Sequence, residues 1–538
     1  MRGLSLLSFE WQAGEGLTRS FCIATTGLVT GRHAEERMSV LAIALLAFDH
    51  DVEKVHDQLV QAGAATVLMR CLDRAMGEED GWEEIDPICK LFCMSFRCSD
   101  QQGARSYTGI GAELCPLLFS VLFISNSYPS LETPPSALQL LRRLATLELN
   151  VPTMPNSVQL LRCFRQIIEE CDIQTDRERL VDVVHVLVGL SQHRASKAFI
   201  MDSPGLCDSI VSRISESCRS GCELNLETAK LLRNLAWHPG NKATMAGKKA
   251  LVKLLVLLAG DRKIETRLAA IETLKHLASD GHGRSKLASQ CKGKLLEALF
   301  DATGCEETQE QALETMMSFV SRSTAFDMCE NEKLLLMLTN LASCGSDSKS
   351  STVAAQTIKR LATHVPANHA SHSALLDVIL KMASCAFHRV RFWAAKAFVE
   401  QSLIPGSSFL MVRIHQVVQT LTQLARDQNV DVQAAAVEAL QNLAADTTNV
   451  RRLAMDSDLL EVFVSNAEGS GSGEVLVVAR RHAVQALLSL ASHRSTKRRI
   501  AKQYGLVASL LRYAMSEDND DELKRAAMHG VILLAPLM

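Results

Sequence analysis

A two-residue pattern, Leu-Ala or a close variant, returns along the chain at a nearly fixed interval and each time closes an apolar, helix-forming stretch. Successive copies lie about 42 to 47 residues apart, and this spacing matches the period of roughly 40–47 residues in helical repeats. One interval of about 82 residues spans two units, with a blurred copy between them. The copies are Leu144-Ala145, Leu190-Ser191, Leu235-Ala236, Leu277-Ala278, Phe319-Val320, Leu361-Ala362, Leu443-Ala444, Leu490-Ala491 and Leu534-Ala535. The spacing therefore predicts a series of stacked helical units.

Within each copy the apolar residues follow the period of a helix. Ala229, Leu232 and Ala236 share one face of a predicted helix, and Ala436 and Leu440 do so in a later copy. A helix with one apolar stripe is not stable alone, and stacking against the next copy buries that stripe. Although 538 residues could form several globular domains, a repeat array grows along one axis. The pattern predicts an all-α fold.

Helix-breaking residues follow the Leu-Ala pairs. His238-Pro239-Gly240-Asn241 comes after one copy, and Asp280-Gly281-His282-Gly283 comes after the next. Pro, Gly, Asp and Asn end one helix and cap the following one. Gly63, Gly247 and Gly505 each follow a shorter helical stretch. We expect these glycines to adopt the left-handed backbone conformation at a corner between a short and a long helix.

The segments around these breaks resemble the armadillo repeat family. Segments 58–68, 241–247 and 497–507 are similar to the first corner of that repeat, and segments 231–236 and 439–444 are similar to the end of its third helix. The resemblance implies three helices per unit in a right-handed α-solenoid of about 11–12 armadillo-like repeats.

The predicted solenoid covers residues 38–538, and its clearest repeats are 224–285 and 428–515. The copies at 180–217 and 307–343 are degenerate and equally allow two-helix units of the HEAT type. Residues 1–37 are interpreted as a leader or a partial first repeat, which could be disordered. The run Gly-Ser-Gly-Ser-Gly at 469–473 predicts a flexible insertion.

The resemblance also implies a concave groove lined by the third helices, where an Asn can hydrogen-bond the backbone of an extended peptide. Two copies have this Asn, whereas other copies have different residues. Nuclear-import adaptors of the family carry Trp four residues earlier, and this chain has charged residues there, which argues against that transport role. The alternative is that each Asn bonds its own turn. The candidate groove residues are Lys230, Asn234, Glu272, His276, Arg360, Glu438 and Asn442.

Charges of one sign are grouped along the sequence. Residues 230–294 contain fourteen Lys or Arg against four Asp or Glu, whereas residues 297–332 contain nine Asp or Glu against one Arg. Because sequence position maps onto the axis of a solenoid, we expect neighbouring basic and acidic bands that could steer a partner. The alternative is that solvated helix faces cluster by chance. The basic-band candidates are Lys248, Lys249, Lys253, Arg262 and Lys263.

Composition and motifs argue against other functions. A net charge of −3 provides no overall field for nucleic acid or membrane, and no apolar run is long enough for a membrane span. The 16 scattered cysteines indicate reduced thiols in the cytoplasm, with the nucleus also open. Cys89 and Cys93 lack histidines at zinc-finger spacing, and no catalytic motif is present. We therefore expect no enzyme activity, no bound metal and no cofactor.

The sequence predicts a non-enzymatic scaffold or adaptor that binds a protein or peptide partner along the groove, with no small-molecule substrate. One alternative is a carrier or chaperone cofactor that holds a single folded client. A less favoured alternative is nucleic-acid binding through the basic bands. The near absence of aromatic residues beside the lysines disfavours base stacking.

Overall fold

The computed structural model describes residues 64–78, 81–95, 114–125, 134–146, 158–172, 175–217, 222–343, 348–468, 473–502, 510–511, 514–515 and 521–534. The predicted leader and residues 469–472 of the predicted insertion lie outside them. Within these ranges the backbone forms helices, turns and bends without a strand. The chain divides into two compact units, residues 1–291 and residues 292–538. The prediction of an all-α solenoid is confirmed.

Unit 1 contains twelve described helices before the boundary, which falls inside α13 (Gly281–Ala302). They are α1 (Ala64–Gly77), α2 (Trp82–Ser95), α3 (114–125), α4 (Pro135–Thr146), α5 (Val158–Glu170), α6 (Arg177–Leu190), α7 (Arg194–Asp202), α8 (Leu206–Ser217), α9 (Glu223–Ala236), α10 (Pro239–Gly247), α11 (Lys249–Ala259) and α12 (Ile264–Ser279).

The described helices of unit 2 that follow α13 continue the same alternation. They are α14 (Glu306–Phe319), α15 (Arg322–Glu330), α16 (Glu332–Ser343), α17 (Lys349–Ala362), α18 (His372–Ala383), α19 (His388–Leu403), α20 (Ser407–Arg413), α21 (His415–Leu424), α22 (Val430–Ala445), α23 (Val450–Leu453), α24 (Ser457–Glu468), α25 (Glu474–Ala491), α26 (Arg494–Ala501) and α27 (Asp521–Leu534).

Each unit is built from two layers of helices. The helix that ends in the Leu-Ala pair, here called the third helix, packs against the third helix of the next repeat. This layer consists of α4, α6, α9 and α12 in unit 1, and of α14, α17, α19, α22, α25 and α27 in unit 2. The second helices form the other layer, with α5, α8 and α11 in unit 1 and α16, α18, α21 and α24 in unit 2. Short first helices such as α7 and α10 connect the layers.

The recurring pair is buried at the end of its third helix. Leu235 and Ala236 at the end of α9 are 2% and 0% exposed, and Leu443 and Ala444 at the end of α22 are both 0% exposed. Burying one leucine side chain contributes about 1.5–3 kcal/mol, and the adjacent alanine allows the next helix to approach closely. The repeat therefore recurs in the sequence because the same contact recurs between neighbouring third helices.

The degenerate copies each contain three helices in the described structure. The region 175–217 forms α6, α7 and α8, and the region 306–343 forms α14, α15 and α16. The possibility of two-helix units at these two places is therefore wrong. Another copy among the described residues does lack a first helix. Its residues 363–371, between α17 and α18, form turns and bends.

A buried glutamine explains this missing helix and the blurred repeat near it. Gln401 occupies the place of the leucine in the Leu-Ala pair of α19, and it is 0% exposed. Its Nε2 donates to the carbonyl oxygens of Ala362 at 2.6 Å and Val365 at 3.1 Å. Its Oε1 lies 2.9 Å from His372 Nε2 and accepts from Ser407 Oγ at 2.8 Å. These bonds satisfy the turn backbone that a first helix would otherwise satisfy itself.

The prediction of a left-handed backbone conformation is wrong at Gly247, whereas Gly63 and Gly505 lie outside the described residues. Among the described residues, only Gly205 and Gly406 have positive φ, at 76° and 80°. Gly247 is the last residue of α10, and a Cβ there would lie 3.2 Å from Lys286 Nζ. Lys286 Nζ donates to the carbonyl oxygen of Ala243 at 3.0 Å. Gly247 therefore provides room for a lysine of the next repeat.

Candidate protein-binding surface

The seven candidate groove residues all lie on third helices, and all are half-buried. We call the partly exposed side of the third-helix layer the third-helix face. Residues four apart on a helix point in the same direction, so each helix presents its pair together. The structure places Lys230 and Asn234 on α9, Glu272 and His276 on α12, Arg360 on α17, and Glu438 and Asn442 on α22.

Both candidate asparagines bond to the preceding third helix. Asn234 Nδ2 donates to Ser191 Oγ at 3.0 Å, and Asn442 Nδ2 donates to Ser402 Oγ at 3.0 Å. Each serine stands at the end of the neighbouring third helix. The two amide groups therefore join adjacent repeats, and neither bonds its own turn as the alternative interpretation proposed. Contact of either Asn with a peptide backbone stays a prediction.

Lys230 forms part of a buried charge network between α6 and α9. Glu227 is 4% exposed, and its Oε1 lies 2.8 Å from Lys230 Nζ. Its Oε2 lies 3.3 Å from His185 Nδ1. Burial lowers the pKa of His185, while the Glu227 carboxylate opposes that shift. Removing Lys230 would leave the buried Glu227 carboxylate without its cation, which is costly for the packed helices.

The charged residues of α9 and α12 meet near His276. Arg233 Nη1 lies 3.5 Å from Glu272 Oε2, and Glu272 Oε1 lies 4.0 Å from His276 Nε2. Burial lowers the pKa of His276; the carboxylate of Glu272 opposes this shift, and the cations of Lys242, Lys275 and Arg233 reinforce it. The imidazole is therefore held neutral beside a predominantly basic group of side chains.

Ion pairs also join neighbouring third helices on the third-helix face of unit 2. Lys396 Nζ on α19 lies 2.8 Å from Glu438 Oε2 on α22, and Lys359 Nζ on α17 lies 2.6 Å from Glu400 Oε1 on α19. All four side chains are about a third exposed, so each pair contributes less than about 1 kcal/mol. The pairs set the register between helices, and their partial exposure leaves them within reach of a bound segment.

The basic-band residues lie away from the third-helix face. Lys249 and Lys253 are exposed on the second helix α11, and Arg262 and Lys263 are exposed in the turn before α12. Lys248 Nζ pairs with an acidic side chain, Asp208 Oδ1, at 2.6 Å. The band thus spans one second helix and one turn. Its role in partner binding stays a prediction.

Sequence reasoning overlooked Trp237, which directly follows α9 and is 58% exposed. The centroid of its indole ring lies 5.0 Å from that of the His276 ring, at an interplanar angle of 54°. The equivalent position after the Leu-Ala pair holds Ser279, Ser321 or Ala445 in other copies. Gln192 and Leu403 stand there in two further copies, so aligning the copies by that pair would have shown an aromatic residue at a position where these copies have none.

No group of three or more His, Cys, Asp or Glu among the described residues is placed to hold a metal ion. Burial raises the pKa of Cys115 and of Cys329 to about 12, so these thiols are protonated and unreactive at neutral pH. No helix in this part of the chain combines the length and apolar character needed to cross a membrane.

The comparison with solved structures supports the helical repeat fold. No protein-family model and no curated protein matches the sequence. The crystal structure of an engineered protein matches with a TM-score of 0.51 and 18% identity, over 83% of this chain and 98% of that chain. A structure titled for a phosphorylation switch that controls the interaction between cadherin and beta-catenin matches with a TM-score of 0.51 and 16% identity, over 87% of this chain and 98% of that one. The chain is an α-helical repeat protein.

Proposed function

We propose that the protein is a non-enzymatic scaffold or adaptor of the armadillo type, which binds a segment of a protein partner on its third-helix face. Its proposed location is the cytoplasm, where the buried cysteines would stay reduced. The site residues would be the seven candidate groove residues, and the partner would lie across successive third helices.

One observation carries this proposal. Half-buried polar and charged side chains recur at equivalent positions on successive third helices, and their types vary among copies. One position holds Asn, His, Ser, Arg or Glu, and the position four residues earlier holds Lys, Glu or Gln. Some of these residues, such as Asn234 and Glu272, also bond to a neighbouring third helix, but the apolar side of each helix already provides the stacking core, so their types can vary with the partner. A repeating platform with varied side chains is how solenoids recognise extended or helical segments.

The fold neighbour described for the interaction between cadherin and beta-catenin supports the same class of function. At 16% identity the likeness is one of fold, so neither partner is carried over to this chain. The sequence resemblance to the armadillo repeat points in the same direction.

The proposal can be tested with the full-length chain as bait, followed by mass spectrometry of the captured proteins and titration of each purified partner. Two third-helix substitutions, Glu272→Ala and Glu438→Ala, probe the face in both units. Two substitutions on the second helix α11, Lys249→Ala and Lys253→Ala, serve as the matched control. We expect the third-helix variant to bind at least about tenfold more weakly, because charge pairs at an interface centre carry much of the affinity.

The control variant should bind like the wild type. Weaker binding by the control with unchanged binding by the third-helix variant would place the partner on the other layer and refute the proposed site. Catalytic turnover by the purified chain would refute the non-enzymatic assignment.

A further inference from the structure

Trp237 has a location and an exposure that repeat stacking does not require. The equivalent position holds Ser279 in the next copy and Thr363 and Leu403 in later copies, and the third helices of those copies also pack on a neighbouring third helix. The indole is nevertheless more than half exposed, at 58%. Tryptophan is enriched among the residues that dominate binding energy at protein interfaces, because it buries a large rigid surface.

The side chains next to Trp237 form one continuous surface across three helices. The indole packs on His276 of α12 at a centroid distance of 5.0 Å. Lys242 of α10 donates from Nζ to Ser279 Oγ at 2.9 Å, and Ser279 Oγ donates to the carbonyl oxygen of His276 at 2.7 Å. We call this surface, formed by Trp237, Lys242, His276 and Ser279, the Trp237 edge.

Cationic side chains outnumber carboxylates around the Trp237 edge. Among the described charges that act on His276, Arg233, Lys242 and Lys275 are cations and Glu272 is a carboxylate. Glu272 is already paired with Arg233 at 3.5 Å. An exposed aromatic ring beside the Lys242 ammonium group, whose described hydrogen bond is to the neutral Ser279 hydroxyl, is complementary to an apolar side chain flanked by carboxylates.

We propose that the Trp237 edge binds a short acidic segment of a protein partner, with one apolar side chain on the indole and neighbouring carboxylates facing Lys242. This inference rests on the proposed scaffold function and adds the chemistry of the partner. Because the cations are near the surface, the affinity should fall as salt concentration rises. Because the indole contributes apolar contact, a polyglutamate peptide without an apolar residue should bind weakly.

The probe is a library of random twelve-residue peptides displayed on phage and selected on the full-length chain. Selected peptides are then synthesised and titrated against four variants. Trp237→Ser introduces the residue of the next copy, and Leu403→Ser is its control, since Leu403 ends α19 in unit 2 and is 65% exposed. Lys242→Glu reverses a charge at the edge, and Lys253→Glu makes the same change on the second helix α11.

The expected result is a set of acidic peptides that share an apolar residue. Their affinity should fall about tenfold or more with Trp237→Ser and with Lys242→Glu, and should change less than about twofold with the two controls. Circular dichroism of Trp237→Ser should match the wild type, because the residue is outside the helix and exposed.

Two outcomes would overturn the inference, and they differ in what they mean for the scaffold proposal. Selected peptides that bind Trp237→Ser as tightly as the wild type, or that are basic, would refute the Trp237 edge and leave a peptide-binding scaffold in place. Failure to enrich any peptide over the bare support would count against both proposals together.

Discussion

The α9–α12 pair of unit 1 and the α19–α22 pair of unit 2 are joined by similar bonds and differ at their exposed ends. An ion pair links the helices in each case, Arg233–Glu272 at 3.5 Å and Lys396–Glu438 at 2.8 Å. Both α9 and α22 also carry an Asn that donates to a serine of the preceding third helix. The residue after the Leu-Ala pair of α9 is Trp237, whereas the equivalent residue of α19 is Leu403, which is also exposed but aliphatic. Bonds between repeats recur because stacking needs them, and the exposed end is where one pair can acquire a specific partner.

The largest expected effect tests whether the two pairs are each held together by the same kind of buried apolar core. Leu232→Ala in α9 and Leu440→Ala in α22 change equivalent residues that are 1% and 0% exposed. Each should lower the free energy of unfolding of its own unit by about 2–5 kcal/mol, through lost apolar burial and a new cavity. Hydrogen exchange measured by mass spectrometry resolves the helices of each unit. If the free energy of unfolding fell in only one unit, the two helix pairs would not have equivalent buried cores.

A second prediction concerns the glutamine that interrupts the repeat pattern in unit 2. Gln401→Leu restores the leucine that other copies have at this position. It also removes the donor to the carbonyl oxygens of Ala362 and Val365 and leaves buried acceptors unpaired. We expect a loss of about 1–3 kcal/mol in the free energy of unfolding of unit 2, measured by urea denaturation. A gain in stability would show that the repeat pattern alone determines this position.

A smaller effect distinguishes the structural from the binding role of the asparagines. Asn234→Ala and Asn442→Ala each remove one hydrogen bond between third helices, so each should cost about 0.5–1.5 kcal/mol. In a double-mutant cycle with Ser191→Ala or Ser402→Ala, the paired losses should be less than additive. If both asparagine variants kept wild-type stability while losing partner binding, the hydrogen bonds between repeats would not contribute to stability, and the asparagines would act in binding.

The smallest predicted effect is a decline in stability on acidification, which should be present in both units. Burial lowers the pKa of His185 and His276 in unit 1 and of His372 in unit 2, each from an ordinary value of 6.5. The native state therefore favours the neutral imidazoles, and the unfolded chain binds protons first as the pH falls through 6.5. Stability should be full above that pH and decrease below it, between about pH 7 and pH 5.

Thermal unfolding at a series of pH values checks this prediction. The His372→Gln variant should show a shallower decline for unit 2 and an unaltered decline for unit 1, which makes unit 1 an internal control. A stability that rises on acidification would contradict the inference that the native state favours the neutral imidazoles.

The repeat spacing predicted the helices and their stacking because the buried contact between third helices imposes one residue pattern on every copy. Leu235-Ala236 and Leu443-Ala444 carry that pattern without interruption. Gln401 could not be predicted in the same way, since its role depends on carbonyl groups about 36 to 39 residues earlier in the chain. The partners of Asn234 and the proximity of Trp237 to His276 also lie between repeats. Sequence periodicity identifies repeats, but it does not identify the polar bonds between them.

The most direct test of the central claim is hydrogen–deuterium exchange of the full-length chain with and without a partner captured by it. The account predicts slower exchange in third helices, first of all in α9, α12 and the turn after Trp237, with no change in the second helices α8 and α11. Protection confined to α8 and α11, with α9 and α12 unchanged, would contradict binding on the third-helix face.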